Sequence, residues 1–274
     1  MTALRPPISR SAFFAAKVFA ATLAIFAFVP PHASAQFGPP PGLPKSPREI
    51  APIDLTGYWV SVVTEDWRFR MIVPDKGDFA SVPLTPEGRK LANEWDPAKD
   101  QAAGNQCRGY GAAALMRIPG RLHIAWANNT TLRIDTDSGT QTRLLHFASA
   151  PQAEASQSWQ GYSNAVWQGT RRTVNAYMGQ HSHDQSPEGY LKVVTTHLRP
   201  GYLRKNGVPY SANAVLEEYF DSFLELNGDT WLVVTTIVTD PQYLYQPFIT
   251  SSHFKKLDNN SGWDPTPCRS DEPR

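Results

Sequence analysis

The chain has none of the short signatures that announce common chemistries: no G-x-S-x-G elbow, no H-E-x-x-H pair, no P-loop and no dinucleotide glycine fingerprint. Serine-hydrolase, zinc-protease and nucleotide-dependent readings therefore have nothing to start from, and no cofactor is expected. Cysteine is scarce, two in 274 residues, and neither belongs to a C-x-x-C spacing that would hold a metal. An excess of one charge is also missing. With 26 basic and 25 acidic residues, the chain shows no electrostatic footprint for nucleic acid or an anionic membrane. After residue 35 no apolar run approaches the roughly 20 residues that a membrane-crossing helix needs.

What is present begins with an export leader. Arg5, Arg10 and Lys17 form a positive region, Phe13 to Val29 is an apolar run without an acid, and Ala33-Ser34-Ala35 is an A-x-A cleavage pattern. Residues 1–35 are thus expected to be a signal peptide, cleaved near Gln36 or retained as an anchor, and the working protein is expected in the periplasm or outside the cell. The leader holds three of the basic residues and no acid, so the remainder is slightly acidic. In an oxidising compartment Cys107 and Cys268 read as a disulfide that ties the tail to the first third of the domain, with two free thiols as the alternative.

Residues 36–52 carry Pro39-Pro40-Pro41, Pro44, Pro47 and Pro52 and read as a stiff tether. The folded domain is expected over 53–274. Its text is short runs of Val, Ile, Thr, Tyr and Trp broken by Asn, Gly, Asp and Pro, with strands near 57–64, 67–73, 114–118, 121–127, 131–136, 141–147, 161–167, 190–198, 215–225, 230–238 and 248–255. Asn128-Asn129, Asp137-Ser138-Gly139 and Asn227-Gly228-Asp229 supply turns. One helix is predicted at 86–95, where Thr85 can cap, Pro86 suits the first position, and Leu91 and Trp95 share a face. The expected fold is all-β, an antiparallel barrel with one short helix; a β-sandwich is the runner-up.

Two stretches, Tyr190 to Leu198 and Thr230 to Val238, align without gaps at a spacing of 40 residues. Strand alternation then puts Trp231, Val233, Thr235 and Ile237 on one face, and by the repeat Leu191, Val193, Thr195 and His197 on the same one. If that face is inward, His197 lies in the barrel as a general acid or base or as a ligand partner. Arg199, Tyr202, Arg204 and Lys205 would form a basic, aromatic rim able to grip a carboxylate or a phenol. Glu217 shares a strand face with Tyr219 and Asp221 and is a candidate assisting acid. The candidate catalytic set is therefore His197, Glu217 and Arg204. The candidate ligand-binding set is Trp126, Thr195, His197, Tyr202, Arg204, Trp231 and Thr235. His181-Ser182-His183-Asp184 is metal-like in composition, but its Gly- and Pro-rich surroundings argue for a loop, and no metal is expected.

Leu55-Thr56-Gly57-Tyr58-Trp59 resembles the opening strand of lipocalins and related calycin barrels, whose G-x-W tryptophan packs across the closed barrel end. Residues 53–268 are also similar to a family of exported bacterial proteins through this start, Trp159-Gln160-Gly161-Tyr162, Val193 to His197, Gly201 to Pro209 and Thr236 to Pro241. That resemblance implies export and a lipocalin-like barrel, and it transfers no activity. The leading expectation is an exported barrel that binds a small, partly apolar or aromatic molecule. The alternatives are a barrel enzyme (hydrolase, lyase or isomerase) using His197, and an envelope interaction protein.

Overall fold

The computed structural model describes residues 45–147, 156–169 and 189–271. The leader, the tether up to residue 44 and the His181 to Asp184 cluster lie outside the described residues. Eleven strands are present: β1 Gly57–Val62, β2 Arg121–Asn128, β3 Thr131–Thr136, β4 Thr142–His146, β5 Tyr162–Gly169, β6 Gly189–Thr196, β7 Gly201–Arg204, β8 Val208–Tyr210, β9 Val215–Leu224, β10 Thr230–Thr239 and β11 Phe248–Leu257. Nine of them close into a barrel in the order β1-β11-β10-β9-β6-β5-β4-β3-β2. All pairings are antiparallel except β4 with β5, where Leu145 faces Ser163 in a parallel register. Closure leaves the nine strands no free edge.

Alternation decides which side chains fill the barrel. On β9, Leu216, Glu218 and Phe220 point inward, while Glu217, Tyr219 and Asp221 point outward. The inward positions of the described strands hold packed apolar side chains, among them Trp59, Ile124, Ile134, Leu145, Leu191, Val193, Phe220, Leu232, Val234 and Phe254. Outward positions carry charges such as the ion-paired Lys192 and Glu217 and also exposed apolar side chains such as Val166, Phe223 and Ile249.

The G-x-W tryptophan belongs to the barrel core. Trp59 is fully buried, its Nε1 donates to the Leu55 carbonyl at 2.9 Å, and Lys256 lies over its ring at 5.3 Å. Gly57 adopts φ +114°, a conformation L side chains rarely reach, and a Cβ there would meet Lys256 at 3.2 Å.

One barrel end is covered by a cap. It comprises α1 Trp67–Arg70, α2 Pro86–Asn93, α3 Pro97–Ala102, a 3₁₀ turn Gln106–Tyr110, α4 Ala112–Leu115 and the β7-β8 hairpin. A second apolar cluster, including Val82, Ala113, Leu203, Val208, Tyr210, Leu216, Val238 and Phe248, joins this cap to the barrel. At the other end Trp126, Phe147 and Trp167 pack with centroids 5.3–6.4 Å apart, and Trp167 Nε1 donates to the Pro47 carbonyl. The last part of the proline-rich stretch therefore lies against the barrel.

The predicted helix at 86–95 is α2, with Thr85 Oγ1 accepting from the Gly88 N–H and Pro86 at the first position. Two expected strands are corrected. Within residues 67–73 the chain forms the single turn α1 at Trp67–Arg70 and then an irregular stretch, an arrangement in which Arg70 reaches Glu65, Ser61 Oγ and the Arg117 carbonyl. Residues 114–118 cover the last two residues of α4 and the turn after it, a buried stretch that is apolar except for Arg117. Cys107 and Cys268 are joined as a disulfide.

Gly139, in the β3-β4 turn, has φ +75°, and a Cβ there would overlap the Tyr110 ring. Gly139→Ala is expected to lower unfolding free energy by about 1–3 kcal/mol through this overpacking. Urea unfolding of the two proteins measures it.

Candidate functional site

The repeat predicts the wrong face. Leu191 pairs with Phe220 on one side of β9 and Val234 pairs with it on the other, so Leu191 corresponds to Val234 in space. The gapless alignment sets it against Trp231 instead, and that odd offset moves every side chain to the opposite face. Trp231 and Thr235 accordingly lie on the outer wall, where Thr235 Oγ1 sits 3.3 Å from Ser251 Oγ. Thr195 does point inward. His197 does not follow it: φ is +56°, the strand ends at Thr196, the imidazole Nδ1 lies 2.9 Å from Thr196 Oγ1, and Leu198 takes the buried position.

Glu217 is on the outer wall in an ion pair with Lys192 at 2.6 Å, which holds its carboxyl below the usual range. Its neighbour Glu218 occupies the interior. There it meets Arg143 across the lumen, Nη1 to Oε1 at 2.9 Å; Arg143 also donates to Thr195 Oγ1 at 2.7 Å and Ser163 Oγ at 3.2 Å. All four residues are buried. The ring of hydrogen bonds closes with Ser163 Oγ and Thr195 Oγ1 at 2.8 Å. This satisfied network is a strut across the barrel.

Trp126 packs with Phe147 and Trp167 at the barrel end away from the cap. Tyr202 and Arg204 are both buried on β7 but enter different clusters. Tyr202 OH donates to Asp100 Oδ2 at 2.6 Å beneath Arg108, whose guanidinium lies 4.5 Å from the tyrosine ring and donates to the same carboxylate. Burial first, and then this hydrogen bond, push the phenol well above its ordinary range.

Arg204 lies at the edge of the cap with Arg70 and Arg117. Arg70 is fully engaged, with Glu65, Ser61 and the Arg117 carbonyl as acceptors. Arg117 Nη1 donates to Asp66 Oδ2 at 3.1 Å. Arg204 stacks 4.0 Å over Phe69 and donates from Nη1 to the Ala80 carbonyl at 2.7 Å. It has no carboxylate of its own among the described residues: Glu65 serves Arg70, Asp66 serves Arg117 and Asp78 serves Arg68. Arg117 Nη2, Arg204 Nε and Arg204 Nη2 are buried and have no hydrogen-bond partner there.

The electrostatics follow from that crowding. Burial, then the charge of Arg117, pull the Arg204 guanidinium down to about 10. Burial also lowers Arg70 and Arg117, against the opposing pull of Glu65 and Asp66. Burial pushes the Glu65 carboxyl up, but Thr64, Arg70 and His253 outweigh it and leave it below its usual range.

A cavity of about 30 Å³ is lined by Arg70, Arg117, Arg204 and Lys205 on its polar side and by Phe69, Ile72, Ala114, Ile118 and Leu203 on its apolar side. A water needs roughly 10–15 Å³ on this measure, so the two oxygens of a carboxylate fit. Beside it α1 and the residues after it expose Trp67, Met71 and Ile72. Of this cluster the sequence marked Arg204 as a candidate. Arg117 carried a signal that was open to reading, since it is one cation inside the apolar run Ala112 to Ile118. No protein-family model, curated protein or solved structure matches the chain.

Proposed function

We propose that the protein is an exported binder of a small, partly apolar anion, a carboxylate on an aromatic or aliphatic body, and that it takes this ligand at the edge of the cap. The carrying observation is Arg204, a buried guanidinium without a carboxylate partner among the described residues, with Nε and Nη2 unpartnered, in the lining of a small cavity. Buried charges are normally paired, because leaving water without compensation costs several kcal/mol. A carboxylate supplies the missing countercharge and accepts two parallel hydrogen bonds from a guanidinium fork. Phe69, Ile72 and the exposed Trp67 and Met71 offer apolar surface to the rest of such a ligand. The barrel interior, filled by side chains at the described positions, serves in this reading as the scaffold.

Calorimetric titration with benzoate, octanoate and inorganic sulfate tests the proposal. Octanoate and benzoate are expected to bind and to raise the melting temperature, with sulfate weaker because it gains nothing from the apolar wall. Arg204→Met should lose roughly tenfold to a hundredfold in affinity, the worth of charge-assisted hydrogen bonds. The same variant without ligand is expected to be more stable than the parent by about 1–3 kcal/mol, because it removes buried donors that have no acceptor. Binding should also weaken as pH rises through about 10, where the Arg204 charge is lost. Unchanged affinity in Arg204→Met would sink the reading.

A further inference from the structure

A second site lies on the outer barrel wall, independent of the arginine cluster. Tyr58 on β1 pairs in register with His123 on β2, His123 with Asp135 on β3, and Asp135 with Thr142 on β4. Four outward side chains thus form one row across four strands. The Tyr58 and His123 rings stack at 4.3 Å with an interplanar angle of 18°. Asp135 accepts from Arg133 Nε at 2.9 Å and from Thr142 Oγ1 at 2.6 Å.

The tail after β11 returns along this wall as a strap. Trp263 meets Tyr58 and His123 edge-on, with centroids 5.8 and 6.5 Å away. Further on, Thr266 N donates to the Asp137 carbonyl and Cys268 closes the disulfide. Between strap and wall runs a groove of about 330 Å³, lined among others by Tyr58, His123, Arg133, Asp135, Thr142 and Trp263. That volume is at the lower end of the roughly 300–1,000 Å³ of small-molecule sites.

We propose that this groove binds a neutral saccharide. The rings of Tyr58, His123 and Trp263 offer apolar surface to the C–H side of a pyranose, and Arg133 and Asp135, hydrogen-bonded to each other at 2.9 Å, offer donors and acceptors to its hydroxyl edge. Because Arg133 and Asp135 neutralise each other, the groove favours a polar uncharged ligand over an ion. Trp263, carried by the strap, provides the second wall.

Saturation-transfer NMR with cellobiose, maltose and N,N′-diacetylchitobiose as probes provides the test. At least one of them is expected to receive saturation at its ring C–H protons. Trp263→Ala and Arg133→Ala should each weaken that probe by about tenfold or more, the scale of one lost charge-assisted hydrogen bond or aromatic contact. The Arg133 side chain is about half exposed. Arg133→Ala should therefore keep the parent melting temperature, which separates a binding defect from an unfolded strap. No transfer to any of the three sugars, or equal affinity in both variants, overturns the proposal.

Discussion

Arg143→Leu and Glu218→Leu are each expected to cost about 3–5 kcal/mol of unfolding free energy, while the double variant should cost far less than either. Both residues are fully buried inside the barrel and each is the other's only countercharge in the described interior network. Removing one leaves a charge in an apolar lumen; removing both leaves Ser163 and Thr195 still bonded to each other at 2.8 Å. The coupling energy of the double-mutant cycle therefore carries most of the effect. Chemical denaturation of the four proteins at one pH measures it.

The two single variants should also diverge with pH. In Arg143→Leu the stranded Glu218 carboxyl can take up a proton and become neutral, so the loss shrinks as pH falls. In Glu218→Leu the stranded guanidinium has no such escape on acidification, and the loss persists as pH falls. Equal and additive costs at every pH would mean that Arg143 and Glu218 contribute through packing alone.

The same strut shows where sequence reasoning stops. Alternation revealed nine barrel strands and, through Asn227-Gly228-Asp229 and Asp137-Ser138-Gly139, the turns between several of them. It does not say which of two polar neighbours faces in. Glu217 and Glu218 are adjacent acids on one strand, and only the register against β6 and β10 sends Glu218 to the interior. Arg143 is harder still, since Thr142-Arg143-Leu144-Leu145-His146 buries arginine and exposes Leu144. The 40-residue repeat failed for a related reason: identical strands can be used one residue out of phase, which exchanges core and solvent faces. Trp67 to Val73 reads like a strand, yet its first four residues turn as α1, which carries Arg70 to Glu65, Ser61 and the Arg117 carbonyl. The capped helix at Thr85-Pro86 was legible because its signals are local, whereas the arginine cluster draws on residues 65–70, 117 and 204 and exists only after folding.

Removal of the disulfide, by Cys107→Ser with Cys268→Ser or by reduction, is expected to lower unfolding free energy by about 2–5 kcal/mol and the melting temperature by about 10 °C. The cross-link spans a sequence separation of 161, and the segment it closes contains β2 through β11, ten of the eleven strands. A loop of that length sits near the top of the chain-entropy range. In the native state the strap has other fastenings: Thr266 N to the Asp137 carbonyl, Thr140 Oγ1 to the Thr266 carbonyl, and Ser270 Oγ to the Pro97 carbonyl. The reduced protein should therefore keep its folded barrel, and the effect should come from a freer unfolded chain. That origin has its own signature, a larger denaturant m-value in the double-serine variant, because the uncross-linked chain exposes more surface on unfolding. A loss below about 1 kcal/mol with an unchanged m-value would instead place the bond's contribution in local geometry at the cap, not in closure of the barrel-spanning loop.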